Sequence, residues 1–296
     1  MNKITVQSSE PIRLDRYLRR CYPGATQGII EKALRLGKIK LNDSKGKTNI
    51  RVVQGDSITI YPGVFVEQVQ DVQEFSQNVI SLADKLLSEY ILFSSDDFIA
   101  IDKPEGLAVQ GGSKVALSVD EALQYINQSE ETEYKLVHRL DKDTSGVLLI
   151  ANGHDNAARL GRAFQDQQIS KVYMAVLTGC PAKLEDNLVH EIGKDRSGIF
   201  EIVKELDSGG KVARTHYKVL RSNGGKSLVE FTPSTGRMHQ LRFHSQFIGC
   251  PIVGDAKYGG QKYHRMMLHA RTMIIPEKVF GKRFKIESTV PHSFDI

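Results

Sequence analysis

Apolar residues recur along the chain with two different periods. In the first sixty residues Leu14, Tyr17 and Leu18 share one helical face, and Ile29, Ile30, Ala33 and Leu34 share another, which predicts two amphipathic helices. Thr26 is placed to cap the second helix and Gly37 to end it. Lys38 to Leu41 and the alternating run Ser57 to Tyr61 then read as strands. Further on, Phe98-Ile99-Ala100-Ile101 reads as a strand that stops at the turn signal Lys103-Pro104-Glu105-Gly106. Ser118 and Glu121 form a capping box that opens a helix from Val119 to Ile126. The apolar run Gly146 to Ala151 is short enough for a buried strand, and a helix follows from Asp155 to Gln167. Strands are expected at Val172 to Leu177, 212 to 220 and 226 to 232, and a helix from Met238 to Ile248, where Leu241, Ser245 and Ile248 share a face. Strands outnumber helices and do not alternate strictly with them, so the expected class is α+β with a mainly antiparallel sheet.

Charge divides the chain more sharply than hydropathy does. Residues 1 to 62 hold twelve Lys or Arg against five acids, a net +7, whereas the whole chain carries +5. Such a module suits a polyanion, although basic residues on helix faces are also ordinary solvated surface. From 63 to 92 the balance turns acidic, with Glu67, Asp71, Glu74, Asp84 and Glu89 against Lys85, and this stretch is expected to be a linker with some helix. The domain reading is therefore 1–62, a linker at 63–92, and 93–296. The chain has 296 residues, 40% hydrophobic and 25% charged, as in a globular protein with a sizeable core. Cys21, Cys180 and Cys250 form no CxxC pair, so neither a disulfide framework nor a zinc site is expected. They read as buried thiols in a reducing compartment. No stretch is apolar enough to span a bilayer and the N-terminus lacks an apolar signal core, so the expectation is a cytoplasmic protein without membrane contact. No long apolar repeat demands a partner, and a monomer is expected.

Three polar clusters could carry chemistry. The densest is His138-Arg139-Leu140-Asp141-Lys142-Asp143-Thr144-Ser145-Gly146, set between the apolar Leu136-Val137 and the buried strand. A metal held by His138, Asp141 and Asp143 has no supporting HExxH motif, and no metal is expected. The second, Thr235-Gly236-Arg237-Met238-His239-Gln240-Leu241-Arg242-Phe243-His244, places two arginines and two histidines at a helix start, which suits an anion. In the third, Lys171-Val172-Tyr173-Met174-Ala175-Val176, strand alternation puts Lys171, Tyr173 and Ala175 on one face. Read singly, the three are equally consistent with a surface turn, a solvated helix face and a packed strand.

Taken together and in order, HRLDKDTSG, KVYMAVLTG and TGRMHQLRFH, preceded by KPEGLAV and followed by LHAR at 268 to 271, resemble the RluA-type family of pseudouridine synthases. HRLD followed by TSG is the most specific of these motifs. The resemblance implies an enzyme that isomerises uridine in RNA without metal, nucleotide or redox cofactor. It implies that Asp141 is the catalytic carboxylate, attacking sugar or base or removing a sugar proton. It further implies that Arg242 is the partner of that carboxylate, that Tyr173 stacks on the target base, and that Arg139 helps hold the gap the base leaves. His138 is expected to anchor its loop rather than to transfer a proton. In the first segment Arg13-Leu14-Asp15-Arg16-Tyr17-Leu18, Gly37 to Asn42 and Gly55 to Ile58 resemble the S-four-type RNA-binding module. That likeness implies RNA contacts by Arg13, Arg16, Arg20, Lys32 and Arg35. Val109-Gln110-Gly111-Gly112-Ser113 is more similar to the C-type members, which act on large-subunit ribosomal RNA, than to the D-type members. The first alternative is a D-type enzyme of large-subunit ribosomal RNA; the second is an RNA-binding ribosome-assembly factor without activity, which would lack the aspartate, tyrosine or arginine.

Overall fold

The computed structural model describes residues 2–8, 10–22, 25–65, 74–112, 117–130, 132–195 and 202–296. Two compact units, 1–74 and 75–296, divide the chain. In the first, helices Leu14–Cys21 and Gln27–Arg35 cover a four-stranded antiparallel sheet ordered Asn2–Thr5, Ser57–Ile60, Ile39–Leu41, Ser44–Lys45. Leu14, Leu18, Ile30, Leu34, Ile39 and Ile58 make its core. The Thr26 hydroxyl accepts the N–H of Ile29 at 3.4 Å, the expected cap. Because the apolar stripes face inward, Arg16, Arg19, Arg20, Lys32 and Arg35 are left exposed. Arg13 is exposed too, but its fork is closed on buried Asp15, Nε to Oδ1 at 3.1 Å and Nη2 to Oδ2 at 2.7 Å.

The second unit is built on an eleven-stranded sheet. Its main path runs Ile202–Glu205, Glu185–Asp195, Lys211–Asn223, Lys226–Pro233, Ser170–Thr178, Leu268–Ile275, Ser145–Asn152, Phe98–Lys103, Ile91–Ser94, with Phe284–Glu287 and Tyr134–Leu136 paired off it. Every pairing is antiparallel except that of Ser145–Asn152 with Leu268–Ile275, which makes the sheet mixed and the fold α+β as expected. The run at Ser145–Ala151 is buried throughout, so both faces of that strand are covered.

The boundary differs from the expected 63–92 linker. Helix Gln77–Ser88 packs Leu82, Ala83 and Leu86 against Ile99, Ile101, Leu123 and Leu148, and Ile91–Ser94 is an edge strand, so residues 77–94 belong to the second unit. Asp84 lies on the exposed face of this amphipathic helix and Glu89 at its C-terminal cap, a pattern that charge alone cannot tell from a linker. Glu67, Asp71 and Ser113 lie outside the described residues. Two of the three cysteines depart from the expectation as well: Cys250 is buried, but Cys21, on the outer side of its helix end, and Cys180, in the loop after Thr178, are exposed. No described helix is long and apolar enough to cross a membrane.

Candidate active site

A cleft of about 620 Å³ opens on the second unit, and its walls bring the three polar clusters together. Asp141, Tyr173 and Arg242 line it, as do Arg139, Lys171 and His239.

Asp141 sits on a turn closed by the Thr144 N–H, which donates to the Asp141 carbonyl at 3.1 Å. Two features hold this turn. Gly146, at φ +106°, lies against the neighbouring strand so closely that a Cβ would stand 2.2 Å from the Ala270 carbonyl oxygen. A side chain would force apart the strand pair that carries the turn. From below, the buried Lys103 ammonium donates to three carbonyls, Pro104 at 2.7 Å, Leu107 at 2.9 Å and Lys142 at 3.0 Å. It thereby ties the KPEG turn to the residue after Asp141. Burial pulls the Lys103 pKa down to about 7, against the opposing pull of Asp143 and Asp141.

His138 anchors the same loop: its Nε2 accepts the Leu149 N–H at 2.8 Å and its ring lies on Phe164 with centroids 4.5 Å apart. Part of its surface is open, yet the nitrogen that would take a proton is occupied. Burial, assisted by the charge of Lys171, lowers its pKa to about 3. Burial likewise lowers His244 to about 4, with a smaller contribution from His190. Unfolding frees both rings to bind protons below about pH 6.5, whereas the folded chain takes none until far lower pH. Stability is therefore fully present above pH 6.5 and is lost as pH falls from there toward 4. Urea midpoints are expected to drop between pH 7.5 and pH 5, and the drop is expected to shrink in His138→Gln. An equal drop in both proteins would show that this ring is not its source.

Arg242 comes from helix Gln240–Phe247, expected by sequence as one face of solvated or anion-binding residues. In the structure Gln240 to Ser245 are all buried. The Arg242 guanidinium donates twice to Asp255, Nε to Oδ2 and Nη2 to Oδ1, both at 2.7 Å, and its remaining nitrogen Nη1 reaches Asp141 Oδ2 at 3.3 Å. It lies over the Tyr258 ring at 5.1 Å. Burial weakens the arginine's hold on its proton, but the bonds to Asp255 outweigh this and keep its pKa above the ordinary value. Asp255 thus aims one fixed cation at Asp141. Sequence reasoning passed over Asp255 and Tyr258. A signal was present in the glycines that flank them: Gly254 has φ +85° and a Cβ there would meet the Arg265 carbonyl oxygen at 1.8 Å.

The helix entry is set by Gln240, whose side chain donates to the Arg214 carbonyl and the Thr215 hydroxyl, each at 2.9 Å, and accepts the Arg237 N–H at 3.0 Å. This clamp leaves His239 in the left-handed region, φ +51°, facing the cleft. Tyr173 stands at a register shift in its strand, packed between the two main apolar clusters of the unit with its ring on the cleft wall. Burial, and then the charge of Asp141, push its pKa well above the ordinary phenol value, so its hydroxyl keeps its proton. Arg139 is exposed at the rim. Among the described residues no group of three or more His, Cys, Asp or Glu could hold a metal ion.

A carboxylate, a buried guanidinium fixed on it and an aromatic wall define a site for a planar polar substrate. Residues 97–247 match the RNA pseudouridylate synthase family. Ribosomal large subunit pseudouridine synthase C of Rickettsia bellii is 46% identical over 99% of both chains. The Escherichia coli K12 protein of that name is 32% identical over 88% of this chain and 80% of its own. Among solved structures, human RNA pseudouridylate synthase domain containing 4 superposes with a TM-score of 0.61 at 27% identity, covering 73% of this chain and 94% of that one. This chain belongs to the RNA pseudouridylate synthase family, and the reaction of that family is the isomerisation of uridine in RNA.

Proposed function

We propose that this protein converts specific uridines of large-subunit ribosomal RNA to pseudouridine, with the target set of C-type enzymes and with Asp141 as the catalytic residue. The convergence of Asp141, Arg242 and Tyr173 in one cleft carries the chemical part of this reading. The names of full-length relatives at 46% and 44% identity support the target.

The isomerisation breaks the bond from N1 to C1′, forms one from C5 to C1′, and moves a proton from C5 to N1. The base must first leave its stack, which costs a few kcal/mol. Stacking on Tyr173 offsets about 1–3 kcal/mol of that. Asp141 acts as nucleophile at sugar or base, or removes a sugar proton, and Arg242 holds it in place through Nη1. Tyr173, protonated at neutral pH, serves as hydrogen-bond donor and platform rather than as base. Arg139 reaches from the rim toward the gap left in the RNA. No cofactor enters these steps.

We assign the first unit to RNA docking, in the manner of an S-four-type module. Arg16, Arg20, Lys32 and Arg35 are its RNA-facing residues, while Arg13 is spent largely on Asp15. Replacing those four by Gln is expected to reduce the slope of log affinity against log salt by about 0.7 to 0.9 for each phosphate that is no longer neutralised. An unchanged slope in filter-binding titrations would place docking elsewhere. The exposed thiols of Cys21 and Cys180 suit a reducing cytoplasm, and the protein is taken to act there as a monomer.

The function is tested with purified protein on unmodified large-subunit ribosomal RNA and on transfer RNA transcripts. Pseudouridine at a few fixed positions of the ribosomal RNA supports the reading; modification confined to transfer RNA overturns the target.

A further inference from the structure

Tyr258 is buried beneath the site, 1% exposed, and its hydroxyl has two partners. It accepts the Val203 N–H at 2.8 Å, and it stands 3.0 Å from His239 Nδ1. A phenol has one proton to give, and among the described residues Nδ1 is the acceptor within its reach. With the hydroxyl already accepting from Val203, the proton points to Nδ1, which must therefore present its lone pair. The ring proton of neutral His239 is then on Nε2. That nitrogen lies 3.8 Å from Asp141 Oδ2, the same oxygen that Arg242 Nη1 approaches at 3.3 Å. At 3.8 Å the separation is longer than a hydrogen bond, as catalytic hydrogen bonds often are in a site without its substrate.

We propose that Tyr258 fixes His239 as its Nε2–H tautomer, making His239 a positioning residue that, with Arg242, holds Oδ2 of Asp141 and leaves Oδ1 for the reaction. The inference rests on Asp141 being the catalytic residue. It explains why the left-handed backbone at His239 is tolerated, since that conformation turns the ring between Tyr258 and Asp141. It also gives Tyr258 two tasks in one place, the face of its ring under Arg242 and its hydroxyl on His239. The charged groups around the ring are Asp141 and Asp255, which favour its protonation, and Arg242 and Lys257, which oppose it; burial opposes it most. A neutral donor is the form this setting selects.

The tautomer is read directly by long-range proton–nitrogen NMR of the full chain labelled in histidine, with the His239 signals assigned from their absence in His239→Gln. Neutral Nε2–H in the wild type at pH 7, shifting toward Nδ1–H in Tyr258→Phe, supports the assignment, because that variant keeps the ring beneath Arg242 and removes only the hydroxyl. The same tautomer in both proteins, or Nδ1–H in the wild type, overturns it. In single-turnover assays Tyr258→Phe and His239→Ala are expected to lose on the order of tenfold in rate with substrate affinity unchanged. His239→Gln, whose amide can replace the donor, is expected to recover part of that loss. Full activity in His239→Ala would overturn the positioning role. The NMR reading does not depend on catalysis, so an active Asp141→Asn protein would fault the catalytic assignment and leave the tautomer assignment standing.

Discussion

Asp141→Asn is expected to lower pseudouridine formation by at least about 10³-fold while leaving RNA binding and the melting curve close to wild type. The substitution removes one charge and nearly preserves shape. The Thr144 N–H still meets the residue 141 carbonyl, and the amide oxygen can still accept from Arg242. What disappears is the ionised oxygen required by every route open to this reaction, whether attack on the sugar, attack on the base or removal of a sugar proton. Single-turnover release of the C5 proton, measured beside filter binding, separates the two effects. A protein that binds RNA but retains more than a tenth of the wild-type rate would remove Asp141 from the chemistry.

Asp255→Ala is expected to cost about 3–5 kcal/mol of stability, the largest loss anticipated from a polar substitution in this chain. The pair it breaks is buried on both sides, with side-chain exposures of 5% for Arg242 and 1% for Asp255. Removing the carboxylate strands a guanidinium in the core, leaving the longer hydrogen bond to Asp141 and the face of the Tyr258 ring to compensate. Arg242→Met combined with Asp255→Ala is expected to be more stable than Asp255→Ala alone, because the uncompensated charge is gone, and to be inactive. Urea unfolding monitored by circular dichroism measures both. A loss below about 1 kcal/mol in the single variant would mean that the guanidinium finds water, and that its aim at Asp141 does not depend on Asp255.

The elements found by apolar period were those with one clean buried face or a short buried run. The helix opened by Ser118 and the strand from Ser145 are of this kind, and their bounds in the structure, Val119–Ser129 and Ser145–Asn152, are close to those expected. Glu185–Asp195 escapes the apolar period because Asp186, His190 and Lys194 share the face of Leu188 and Ile192, and its strand character comes from pairing with Lys211–Asn223. Charge composition places Gln77–Ser88 in an acidic linker with some helix, because it is blind to the apolar face that Leu82 and Leu86 present to the core. Within the site, Asp141, Tyr173 and Arg242 were legible through motifs on three separate elements. Asp255 and Tyr258 were not. They act on Arg242 and His239 across loop distances, and an aspartate between turn glycines reads locally as nothing more than a turn.

The most direct test of the account is pseudouridine mapping across the ribosomal RNA of cells that lack this gene, rescued with wild type or with Asp141→Asn. Loss of a few large-subunit positions, restored by wild type and not by the variant, is the expected result. Unchanged large-subunit pseudouridines in the deletion strain, or restoration by Asp141→Asn, would contradict it.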